Sequence, residues 1–263
     1  MADNGQVTEP GTPDKVLVMS LADRRLSWPG CHNVRDLGGL PTEDGGRIRS
    51  GALIRSDDLY QLTPAGLAAL RAQGVGRVLD LRHTDETGRL PSPLAEDPVY
   101  RWTPFIDEEA DRHRDPDTEP DTRAVYLGSI ERNAGHIAAA FAALADAPPG
   151  PVVVHCVAGK DRTGILVALA LRVAGVSRDD IAADYACSDE RTPWLAELAA
   201  LADDAERDAY RTRYGCLPET MLALLDHVER RYGSVPGYLR RHGITDAQLD
   251  AVRDRLREAP SAG

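Results

Sequence analysis

Along this chain, short apolar runs alternate with segments of helical period. "VLVMSL" (16–21) and "IRSGALIR" (48–55) predict strands, with the turn "EDGG" (43–46) between them. Thr63 followed by Pro64 predicts an N-cap with proline at the first helical position, and a helix to about Gln73. "GVG" breaks that helix, and "RVLDL" (77–81) then predicts a buried strand. "VYRWTPF" (99–105) predicts another, whereas 106–121 is polar, proline-bearing and aperiodic, a long loop of the kind tied to function or mobility. Residues 123–145 have helical period in two pieces. "PVVVHC" (151–156) is a β-branched run that predicts a central strand, and "TGILVALALRVAG" (163–175) is apolar nearly all round, which predicts a buried helix.

After Ser177 the pattern is wholly helical. "SRDD" (177–180) and "TDAQ" (245–248) resemble capping-box starts, and Pro193 and Pro218 open two more helices. Strand–helix–strand, then strand–loop–helix, then a helical tail predicts an α/β domain with a mainly parallel sheet flanked by helices. Residues 1–14 and 259–263 read as flexible tails. Neither repeat nor linker divides 15–258, which reads as a single domain whose 190–258 region is helical.

Composition narrows the function classes. The chain has 263 residues, 42% of them hydrophobic and 28% charged, with a net charge of −11. That charge argues against a nucleic-acid partner, which needs a basic face, while leaving room for a small positive pocket. The N-terminus lacks the basic-then-apolar order of a signal peptide, and the uncharged run inside 163–171 is less than half a membrane span. The expectation is a cytoplasmic protein without a transmembrane segment, secretion by a signal-free route being left open. Cys31, Cys156, Cys187 and Cys216 show neither CxxC pairing nor metal-ligand spacing, so free thiols and no metal or cofactor are expected.

The chemistry concentrates in "HCVAGKDRTG" (155–164). A strand ending at His155, a tight loop and a helix starting near Thr163 make an anion cradle. The N–H groups of Val157, Ala158, Gly159, Lys160, Asp161 and Arg162 can converge on one centre, at the positive end of the helix. Gly159 permits the curl, and Arg162 adds a planar fork suited to phosphate. The same field favours the thiolate of Cys156, a nucleophile.

This loop resembles the signature of cysteine-dependent protein tyrosine phosphatases. It is most similar to the bacterial tyrosine/dual-specificity branch whose loop reads HCxAGKDRTG, and is similar in turn to phosphoinositide phosphatases. "NVRDLGG" (33–39), "RSDDL" (55–59), "VLDLR" (78–82) and "DYACS" (184–188) resemble other pieces of that branch. The resemblance implies a protein tyrosine phosphatase-like fold and hydrolysis of phosphotyrosine, with phosphoserine or phosphothreonine as further substrates, through a cysteinyl-phosphate. It implies that Arg162 and the loop amides stabilise the transition state and that Thr163 donates to the Cys156 sulfur; a plain helix cap is the alternative for Thr163. It also gives 190–258 the character of a lid-like helical region.

A carboxyl group must protonate the leaving oxygen. Asp161 is the first candidate, from the resemblance; Asp107, at the head of the long loop, is the second, and Asp80, at a strand end, the third. Lys160 is one of two lysines among 31 basic residues, and an ammonium there fits a substrate with a second anion, as a phosphoinositide has. The partner is therefore a phosphorylated protein or a phosphoinositide. A rhodanese-type sulfurtransferase and a phosphate-binding pseudo-enzyme are the competing readings.

Overall fold

The computed structural model describes residues 24–189 and 203–258. These form a five-stranded sheet: β1 (Arg35–Asp36), β2 (Leu53–Ser56), β3 (Arg77–Asp80), β4 (Tyr100–Trp102) and β5 (Val152–His155), in the order β1-β2-β5-β3-β4. Only β1 is antiparallel; β2, β3 and β4 run with β5, so the sheet is mainly parallel as the element order predicts. Both faces are covered, which is why the central strands read as continuous apolar runs. Along β5, Val152 and Val154 enter the larger core while Val153 enters a smaller one with Ile54 and Val78. Side chains alternate across a strand, so one run feeds both layers.

Helix α1 (Pro64–Ala72) packs with the smaller core, and the Thr63 side chain caps it at Gly66 N. On the other face lie α4 (Thr122–Arg132), α5 (Ala134–Ala145) and α6 (Asp161–Val173), all sharing the larger core. Helix α6 buries ten of its residues, in keeping with its uninterrupted apolar sequence. The tail supplies α7 (Arg178–Ala186), α8 (Asp204–Tyr214), α9 (Pro218–Tyr232), α10 (Val235–Arg241) and α11 (Asp246–Leu256). Ser177 caps α7, Pro218 opens α9, and Thr245 with Gln248 forms a complete capping box on α11. Helix α9 packs on α7 and α4, and α11 on α5 and α6. The 218–256 stretch is thus a wall of the core, with Leu224, Leu225, Tyr238 and Val252 fully buried.

Several elements depart from the sequence reading. The strand expected over 48–55 begins only at Leu53, because Ile48 bridges Arg257 in the tail and Gly51 turns the chain at φ +74°. The strand expected over 99–105 shortens to Tyr100–Trp102: it is a sheet edge, and Pro104 offers no N–H to prolong the ladder. Residues 106–121 are not a structureless loop. They hold α3 (Glu108–Arg112) and a 3-10 turn (Pro116–Thr118), each started by an aspartate cap, Asp107 and Asp115. A further short helix, α2 (Thr84–Arg89), starts at a His83/Glu86 capping box. Helix α6 starts at Asp161 rather than near Thr163. The strand expected at 16–21 and the helix opened by Pro193 lie outside the described residues. No helix among the described residues is long and apolar enough to cross a membrane.

Candidate active site

The loop between β5 and α6 is shaped by what holds its carbonyls. Asp58 N donates to Val157 O (2.9 Å), Asn33 Nδ2 to Ala158 O (2.9 Å), and Arg55 Nη2 to Gly159 O (2.8 Å). In a trans peptide the N–H of the next residue points opposite to the carbonyl. Pulling three consecutive carbonyls toward the scaffold therefore turns the N–H groups of Ala158, Gly159 and Lys160 to the concave side, a nest for an anion. Gly159 makes this possible: its φ is +64°, and a Cβ there would lie 2.4 Å from Ser56 O. Helix α6 adds its N-terminal turn, which no side chain caps.

The donors are themselves pinned. Arg55 Nη1 and Arg35 Nε reach Asp184 at 2.8 and 3.0 Å, Arg24 joins them at 3.0 Å, and Arg35 Nη1 holds Asn33 Oδ1 at 2.6 Å. Asp57 fixes the other side of Asn33 by accepting from the His32 and Asn33 amides. Arg24, Arg35, Arg55 and Asp184 are all buried. Although burial pushes the other way, the three arginines hold the Asp184 carboxyl far below the usual carboxylate range. The segments "NVRDLGG", "RSDDL" and "DYACS" thus converge on the back of one loop.

Cys156 sits buried at the floor, at 2% exposure. Arg162 forks onto Glu86, with Nη1–Oε2 at 2.5 Å and Nη2–Oε1 at 3.0 Å. Burial opposes the Arg162 charge, yet Cys156 and Glu86 beside it raise its pKa above the ordinary arginine value. Burial likewise raises Glu86, but the Arg162 fork holds it below its ordinary value. Thr163 is fully buried, and its hydroxyl has no hydrogen-bond partner, so the expected bond to the Cys156 sulfur is not formed. Val157, at 43% exposure, stands at the lip.

The three candidate acids occupy different settings. Asp161 lies on the first turn of α6, 46% exposed, with Tyr126 OH donating to its Oδ1 at 2.7 Å. Asp107 caps α3: its Oδ1 accepts from Glu109 N (3.0 Å) and Ala110 N (3.1 Å), and the Ala110 bond leads in lowering its pKa. Asp80 is fully buried behind the loop, where Arg82 forks onto it, Tyr100 OH donates at 2.8 Å and His155 Nε2 stands 3.6 Å away. Burial pushes His155 toward the neutral form against the pull of Asp80.

Lys160 is 8% exposed; its ammonium donates to the main-chain carbonyl of Tyr214 at the end of α8 and lies 3.7 Å from Asp161 Oδ1. Beyond it opens a cleft of about 320 Å³, walled by Tyr126, Lys160 and Asp161 within and by Arg114, Arg213 and Tyr214 outside. The sequence reading passed over Glu86 and Tyr126, and it singled out the segments holding Asn33, Asp184 and Tyr185 without giving those residues a role. Glu86 had a local signal of its own, the His83-x-x-Glu86 spacing of a capping box.

Known proteins are similar to this chain in sequence. The chain is 30% identical over 273 residues to the triple specificity protein phosphatase PtpB of Mycobacterium tuberculosis, spanning 87% of this chain and 97% of that protein. It is 31% identical over 227 residues to a tyrosine-protein phosphatase of Nostoc commune, spanning 81% of this chain and 76% of the other. The family model matches residues 26–258, from before β1 to beyond α11, and places this α/β chain in the tyrosine phosphatase family.

Proposed function

We propose that this tyrosine phosphatase uses Cys156 as nucleophile, Arg162 with the loop amides as the oxyanion clamp and Asp161 as general acid, on phosphotyrosine and on phosphoesters carrying a second anion. The observation that carries it is the outward capture of the Val157, Ala158 and Gly159 carbonyls, which turns the next three amides to the opposite, concave side of the loop that follows Cys156. The Cys156 thiolate attacks phosphorus; an S–P bond forms, the P–O bond to the leaving group breaks, and the Asp161 proton passes to that oxygen. Water then attacks phosphorus and gives its proton to the Asp161 carboxylate. The S–P bond breaks, and the thiolate returns with inorganic phosphate. Charge growing on the equatorial oxygens is met by prepositioned donors, the arrangement that lowers such barriers most.

Asp161 is favoured over Asp107 and Asp80 on their present bonds. Asp107 is engaged in capping α3, and Asp80 is enclosed by Arg82 and Tyr100. Substrate breadth is supported by Lys160 and the cleft beside it, which would hold a second anionic group, and by the similarity to a triple specificity phosphatase. The family match leaves no place for the sulfurtransferase reading, and intact Cys156 and Arg162 speak against a pseudo-enzyme.

The test is hydrolysis of p-nitrophenyl phosphate, a phosphotyrosine peptide and a phosphoinositide in the presence of chelator. Turnover that vanadate inhibits and Cys156→Ser abolishes is expected. Lys160→Ala should raise KM for the phosphoinositide about ten- to hundred-fold more than for p-nitrophenyl phosphate, through one lost charge-assisted bond. Residual Cys156→Ser activity above about 1% defeats the covalent route, since a lost nucleophile should cost far more. Equal Lys160→Ala effects defeat the second-anion reading.

A further inference from the structure

We infer that the hydroxyls of Tyr126 and Tyr185 form a relay that clamps Oδ1 of Asp161 and leaves Oδ2 as the oxygen that delivers the proton, an assignment that rests on Asp161 being the general acid. Tyr126 comes from α4 and Tyr185 from α7, and both are buried, at 2% and 1% exposure. Tyr126 OH donates to Asp161 Oδ1 at 2.7 Å and lies 2.8 Å from Tyr185 OH. Among the described residues no hydrogen bond is donated to Asp161 Oδ2, while Lys160 approaches Oδ1 at 3.7 Å.

Hydrogen counting gives the relay a direction. A phenol has one hydrogen, and a carboxylate has none. Once Asp161 is ionised, Tyr126 must donate to it, and Tyr185 must then donate to Tyr126. The aligned pair stabilises the carboxylate that Asp161 becomes as the Oδ2–H bond breaks and its proton passes to the leaving oxygen. It does the same for the carboxylate that receives the proton of water in the second step. Burial pushes both phenols well above their ordinary pKa, so the relay keeps its hydrogens at any working pH. Packing fixes the oxygens in place. The two rings meet edge to face, with centroids 6.0 Å apart and 71° between planes, and Tyr185 lies so close to α6 that a Cβ at Gly164 would come within 3.1 Å of its ring. Tyr126 and Tyr185 are positioning residues, acting through Asp161.

The experiment compares aryl phosphates of poor and good leaving ability, phenyl phosphate and 2,4-dinitrophenyl phosphate, in Tyr126→Phe, Tyr185→Phe, the double variant and Asp161→Asn. Phenylalanine keeps both rings, so packing is retained. Tyr126→Phe should lower kcat/KM on phenyl phosphate by about ten-fold or more, the worth of a hydrogen bond to a charged group. Its kcat/KM on dinitrophenyl phosphate, which reports only the step that forms the cysteinyl-phosphate, should stay within about two-fold, because that leaving group departs without a proton, and its inhibition by vanadate should not change. Tyr185→Phe should show the same split more weakly, about three-fold, and add little in the Tyr126→Phe background, because it acts through Tyr126. Equal losses on both substrates, weaker vanadate inhibition, or full activity on phenyl phosphate in Tyr126→Phe would each overturn the relay. If Asp161→Asn itself lacks the leaving-group split, the assignment of the acid fails first, and that result is separate from any defect at Tyr126.

Discussion

Arg162 shows how one residue is aimed by a partner far away in sequence. Its guanidinium can rotate about a long stem, and the Glu86 fork fixes both terminal nitrogens in one plane. The same carboxylate accepts from His83 N at 2.6 Å, so the side chain that orients the arginine also closes the start of α2. Glu86→Gln keeps the size of the side chain but removes its charge and one acceptor oxygen. We expect kcat on p-nitrophenyl phosphate to fall about ten-fold, from the loss of one charge-assisted bond, with a smaller change in KM. Steady-state kinetics decide it: unchanged or raised kcat would mean that Glu86 merely neutralises Arg162 between cycles.

At the scale of elements, the site is a junction of one strand, one loop and one helix, and Gly159 is the hinge of the junction. The left-handed φ of +64° and the close approach to Ser56 O exclude any side chain. Gly159→Ala should cost roughly 1–3 kcal/mol of stability if the curl is kept. If the curl relaxes, the Gly159 carbonyl leaves Arg55 and the Lys160 amide swings away from the phosphate. In that second case vanadate should bind at least about ten-fold more weakly, since one oxyanion donor is worth that much or more. Vanadate inhibition alongside thermal melting measures both effects. Wild-type vanadate affinity together with wild-type melting in Gly159→Ala would show that the loop does not depend on this curvature. On the other side of the loop, Lys160 ties α6 to the end of α8, so the cleft wall and the phosphate cradle share one contact.

The whole molecule is tied together behind the site by Asp184. Arg24 and Arg35 lie in or before β1, Arg55 is in β2, and Asp184 is in α7, so one carboxylate joins the sheet edge to the helical layer. Asp184→Asn would leave three buried guanidiniums without their counter-charge, at a cost on the order of 3–5 kcal/mol. Because the folded carboxyl is held below its unfolded value, it stabilises the fold above about pH 4, and that contribution is lost as pH falls from there toward the folded value. Urea unfolding at pH 7 should therefore show a large gap between wild type and Asp184→Asn, and the gap should narrow as pH drops below about 4. A gap independent of pH would place the effect in packing rather than charge.

What the sequence determined by itself was local in covalent distance. Thr63, Ser177 and Thr245 start their helices because a cap acts on an amide two or three residues on. The β-branched run before His155 makes a central strand, and the loop from Cys156 to Arg162 holds nucleophile, hinge and fork in one contiguous piece. The short helices α2 and α3 escaped because each is only a turn or two, started by a cap and too brief to show a period. Only the tertiary structure decided the rest. Glu86 meets Arg162 across 76 positions, Tyr126 meets Asp161 across 35, and Asp184 meets Arg55 across 129. No spacing rule reaches that far. Such pairs arise because strands and helices packed on one sheet bring distant side chains together, and most charges and hydroxyls that lose water there gain a partner in exchange.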